Sequence, residues 1–67
     1  MSHDPLRFHY LTECAELMRS YSVCLGEGAA RGNEAVVRAY FEALRQVGKD
    51  IDATLREIEA AGKKEAA

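Results

Sequence analysis

The sequence predicts an all-α protein: an antiparallel helical hairpin, about 5–25 and 33–61, dimerising into a four-helix bundle. Three observations predict it. Apolar residues recur at helical spacing in two stretches of the chain. A short connection from Gly26 to Gly32 carries three glycines and forces the second helix antiparallel to the first. The second stretch is also longer than the first, so part of its apolar band has no partner within the chain.

Helix one is expected to start at Asp4-Pro5, where Asp caps the free N–H groups and Pro suits the first helical position. Phe8, Leu11, Ala15, Met18, Ser22 and Leu25 form one row at alternating three- and four-residue steps. Tyr10, Cys14, Leu17, Tyr21 and Cys24 form a second row beside it. Together they are wider than a two-helix seam needs. Gly26 is expected to take the left-handed conformation at the helix end.

Asn33 is expected to cap helix two, with Glu34 on its positive end. Val37, Leu44, Ile51 and Ile58 recur every seven residues, and Tyr40, Val47 and Thr54 flank them. Phe41, Gly48 and Leu55 flank the other side, and Gly62 ends the helix. Folding at the loop places Phe8 opposite Ile51, Leu11 opposite Gly48, Ala15 opposite Leu44, Met18 opposite Phe41 and Ser22 opposite Val37. In that register Leu55 and Ile58 project past the start of helix one. The 67 residues form a single domain, with frayed ends expected at 1–3 and 63–67.

The bulk properties narrow the class. A chain of 67 residues buries little surface and favours a partner subunit. Its apolar fraction of 48% argues against disorder, and its net charge of -2 argues against a general polycation. The N-terminus lacks a basic start and an apolar run, so no signal peptide is expected. No apolar run is long enough to span a membrane. Cys14 and Cys24 stand roughly 15 Å apart along one helix, too far for an internal disulfide. Free thiols and a cytoplasmic location are the expectation.

Three sets of residues could carry chemistry. The thiols Cys14 and Cys24 could be metal-binding or redox groups, but no close cysteine pair accompanies them. A buried free cysteine is ordinarily a small core residue. His9 and Glu13, one turn apart beside Glu16 and Ser20, could share a metal, yet they fall on the solvent side of the helix. Arg31, Arg38, Arg45, Lys49 and Arg56 align along helix two, with Lys63 in line beyond them, as a basic ridge able to follow a phosphate backbone. Glu34, Glu42, Asp52 and Glu59 flank that ridge and neutralise much of it.

No nucleophile–base pair, phosphate loop or dinucleotide motif is present, so no catalytic residue, cofactor or metal is assigned. The expected function is a non-enzymatic interaction or regulatory module acting as a homodimer, with another protein as a further partner. Tyr10, Leu17, Tyr21, Tyr40, Val47, Ile51, Leu55 and Ile58 are its expected interface. The alternatives are a hairpin dimer binding RNA or DNA through the basic ridge, and a small metal- or thiol-dependent protein.

Overall fold

The computed structural model describes the backbone of residues 4–66 and the side chains of 4–64. Its two helices, α1 (Pro5–Ala30) and α2 (Glu34–Ala66), pack against each other as an antiparallel hairpin. The result is a thin rod with Cα extents of 53 × 15 × 11 Å. The expected frayed residues 1–3 and 67 lie outside the described residues, while α2 does not end at Gly62 as expected but continues through it to Ala66.

Asp4 starts α1 as expected: its Oδ1 accepts from the Arg7 backbone N–H at 3.1 Å, and Pro5 follows in the first turn. The Asp4 carboxylate also pairs with the Arg7 guanidinium.

The end of α1 corrects the sequence reading. The helix runs through Gly26 to Ala30, and the left-handed residue is Gly32, at φ 68. The Gly32 N–H donates to the Ala29 carbonyl at 3.0 Å, and the Asn33 N–H donates to the Gly28 carbonyl at 2.8 Å. These two bonds close a Schellman motif, satisfying carbonyls that the helix end leaves free. Asn33 then caps α2, its Oδ1 accepting from the Val36 N–H at 3.2 Å. The chain therefore reverses between Arg31 and Asn33, later than expected.

Gly28 explains why α1 can continue. A Cβ built on it would lie 2.7 Å from Val36 Cγ1 and 3.2 Å from Val36 Cβ, so only glycine lets the two helices approach this closely beside the turn. Cys14, Tyr21 and Gly28, seven residues apart, form one line of the α1 seam. Leu11, Met18 and Leu25 form the half-buried line beside it. On α2 the matching lines are Tyr40, Val47 and Thr54, with Leu44, Ile51 and Ile58 alongside.

The longer first helix also shifts the register. Arg7 Nε donates to Glu57 Oε2 at 3.5 Å, and the Tyr21 and Tyr40 rings lie 5.9 Å apart. Phe8 is thus more than one turn away from its expected neighbour Ile51, and the four pairings inferred with it move likewise. Ile58 is half-buried beside the first turn of α1 instead of projecting beyond it. Leu55 remains 50% exposed because of the face it occupies.

Candidate functional site

The interior of the hairpin is small. Among the described residues, the only side chains below a tenth exposed are Cys14, Val47 and Thr54. Thr54 satisfies its hydroxyl locally, donating to the Asp50 carbonyl at 2.9 Å. The other apolar side chains are half-buried or exposed, and they divide between two faces.

Helical geometry sorts them. Take Cys14 on α1 and Val47 on α2 as the directions pointing at the sister helix. At about 100° per residue, Phe8, Ala15 and Ser22 lie roughly 80° to 120° round α1, and Phe41, Gly48 and Leu55 lie at the same angles round α2. In antiparallel helices, equal rotations of the same sign turn toward the same side. The two rows therefore border one face, with Leu11, Met18, Leu44 and Ile51 half-buried between them. Phe8 is 46%, Phe41 51% and Leu55 50% exposed on it.

Leu6, Tyr10, Leu17 and Cys24 turn toward the opposite face. There Leu6 and Tyr10 join Arg7, Asp50, Thr54 and Glu57 around an open cleft of about 590 Å³. Cys24, Arg31 and Tyr40 line a smaller cavity of about 200 Å³ near the turn.

The residues expected at an interface are consequently not one surface. Ile51, Leu55 and Ile58 belong to the first face, and Tyr10 and Leu17 to the second. Val47 is covered inside the hairpin, and Tyr21 packs against Tyr40 across the seam. Sequence reasoning named Phe8, Ala15, Ser22, Phe41 and Gly48 only as hairpin contacts. Their seven-residue spacing on both helices was the signal that they form a surface of their own.

Half of the basic ridge is paired within the chain. Arg45 meets Glu42 at 3.3 Å, Arg56 meets Asp52 at 3.0 Å and Lys63 meets Glu59 at 3.2 Å. Arg38 and Lys49 form no ion pair among the described residues. Arg31 sits in the turn, off the line of α2, because α1 extends to Ala30. His9 Nε2 lies 3.1 Å from Glu13 Oε1 at an exposed site. Among the described residues, no three His, Cys, Asp or Glu side chains gather closely enough to hold a metal ion.

Each cysteine has a tyrosine partner. The neighbouring Cys14, followed by the charge of Asp50, raises the Tyr10 pKa above its ordinary value of 10.0. The Tyr40 pKa is raised likewise, chiefly by its neighbour Cys24. A raised folded-state pKa means that the hairpin favours the neutral phenol. That contribution is fully present below the ordinary tyrosine value and disappears as pH rises through the folded values. The urea midpoint is therefore expected to fall above pH 10.0. Tyr10→Phe combined with Tyr40→Phe should flatten this alkaline decline, as read by circular dichroism during urea titration.

No family model, curated protein or solved structure matches the chain. Among the described residues, no helix is long and apolar enough to cross a membrane.

Proposed function

We propose that the chain is a non-enzymatic interaction module that works through protein–protein contacts, as a homodimer of hairpins stacked into a four-helix bundle. One observation carries the reading: a single face of the hairpin collects Phe8, Phe41 and Leu55, all about half exposed, over a half-buried Leu/Met/Ile layer. The chain exposes 5205 Å², where a compact globule of its mass would expose about 4,200 Å². The shared face measures roughly 40 by 20 Å from helix length and diameter, or about 800 Å² per copy. That is the amount one partner contributes to a standard stable interface.

The bundle geometry also supports the reading. In a square four-helix bundle each helix has neighbours at 0° and about 90°, and the bundle axis lies on the diagonal. Leu11, Met18, Leu25, Leu44, Ile51 and Ile58 lie between about 20° and 60°. They are half-buried in the hairpin and would point at the centre of such a bundle. The basic ridge, by contrast, is interrupted by acids that pair with Arg45, Arg56 and Lys63, and the whole chain carries a net charge of -2, so nucleic acid is the weaker reading.

Folding coupled to association makes thermal stability depend on concentration. The thermal midpoint is expected to rise by about 5 °C for each tenfold increase in protein concentration, given an unfolding entropy scaled to two chains. A midpoint independent of concentration from micromolar to millimolar would exclude the homodimer.

A further inference from the structure

We infer that the two hairpins pack with their turns at opposite ends, about a two-fold axis perpendicular to the helices that passes through the layer of Ala15 and Gly48. This inference rests on the homodimer reading and specifies its topology. Two dyads would stack the apolar faces: one perpendicular to the helices, and one parallel to them that leaves both turns at the same end. Three features of the face separate them.

The first is the distribution of volume. The Arg7–Glu57 pair and the approach of Gly28 to Val36 set the register. In it Phe8 lies level with Leu55, Ala15 with Gly48, and Ser22 with Phe41. With both turns at one end, every layer stacks on its own copy, so Phe8 and Leu55 meet Phe8 and Leu55 at the open end. The bundle would be wedged apart there. With turns at opposite ends, the Phe8–Leu55 layer meets the lighter Ser22–Phe41 layer, and both ends become alike. The smallest layer then falls on the dyad, where helices crossing at about 20° come closest.

The second feature is Gly48 itself. It lies mid-helix, where glycine costs about 1 kcal/mol relative to alanine. A Cβ there would meet nothing within 4 Å, so its own hairpin supplies no packing reason for glycine. At the dyad, Gly48 faces the Gly48 of the second copy and permits close backbone approach.

The third feature is charge. Beside the apolar row, α2 carries Arg38, Arg45, Asp52 and Glu59 at seven-residue steps. When α2 runs antiparallel to its own copy about Gly48, Arg45 lies beside Asp52 of the other chain and Arg38 beside Glu59. Symmetry doubles each pair. The existing pairs of Arg45, Asp52 and Glu59 within the chain are exposed and exchange at little cost. The same-end arrangement instead brings Arg19 of α1 level with Arg45 of the second copy, a like-charge contact.

A crosslink tests the topology. Gly48→Cys, made in a Cys24→Ser background, is expected to form an intermolecular disulfide with itself under mild oxidation. A one-to-one mixture of separate Ala15→Cys and Gly48→Cys proteins in the same background should give only the two self-linked species. A second measurement avoids any change at the packed layer: Arg31→Cys, in that background, spin-labelled in the turn. The label-to-label distance should be about 50 Å, twice the helix rise from Gly48 to the turn. A protein of dimer mass with turn labels within about 25 Å, or with Ala15→Cys linking to Gly48→Cys, overturns this topology and leaves the homodimer standing. A protein of monomer mass overturns both.

Discussion

Leu55→Glu is expected to convert the associated protein to monomer at concentrations where the natural chain is dimeric. Leu55 is 50% exposed in the hairpin, so the substitution removes little packing within one chain. In the proposed bundle the remaining half of the side chain would be covered in both copies, each loss being about 1 kcal/mol at the usual value for apolar area. Covering two carboxylates without partners adds a desolvation cost. Association should weaken by at least 30-fold, roughly 2 kcal/mol. Leu17→Glu provides the control: Leu17 is 46% exposed on the opposite face, and its substitution should leave the dimer mass unchanged. Equal effects of the two changes on association, measured by analytical ultracentrifugation, would contradict the assignment of faces.

The second large effect concerns two glycines in one helix, whose replacement by alanine should act with opposite sign. At Gly26 an added Cβ meets nothing within 4 Å, so Gly26→Ala should stabilise by about 0.5–1 kcal/mol through helix propensity. At Gly28 the same methyl group meets Val36 Cγ1 at 2.7 Å. Val36 is β-branched and stiff, so the helices must part beside the turn. Overpacking of this kind costs about 1–3 kcal/mol, more than the gain in propensity. Gly28→Ala should therefore destabilise by about 1 kcal/mol or more in urea unfolding. Two stabilising substitutions would show that the turn does not require the close approach.

These glycines also mark where sequence reasoning stopped short. Helical period, the Asp4-Pro5 start and the Asn33 cap were legible because each depends on residues within one turn of one another. The end of α1 was not, because three glycines compete in Gly26 to Gly32 and any of them can adopt a positive φ. What decides among them is tertiary: the fit of Gly28 against Val36, and a Schellman closure that needs Gly32 next to the capping Asn33. Ending α1 five residues too early, near Leu25 instead of Ala30, shifted every cross-helix pairing and created an apparent overhang at Leu55 and Ile58. The conclusion that the hairpin's apolar surface exceeds its own needs survives on a different observation. Phe8, Phe41 and Leu55 are uncovered because they turn sideways from the seam.

The division into two faces was likewise hidden. Tyr10 and Leu55 both flank the seam in the sequence pattern, and only the antiparallel pairing puts them on opposite sides. Once the faces are separated, the bland residues become informative. Ala15 and Gly48 leave room at the centre of one face, and the Arg38, Arg45, Asp52, Glu59 row is complementary to its own reverse. The other face offers an acidic-rimmed cleft around Tyr10 that this dimer would leave open to solvent.

Sedimentation equilibrium at micromolar concentration bears most directly on the central claim, that one hairpin is half of the functional unit. The expected result is a single species of twice the 7.4 kDa chain mass, shifting to chain mass with Leu55→Glu. A folded helical protein that sediments at 7.4 kDa across that range would contradict it.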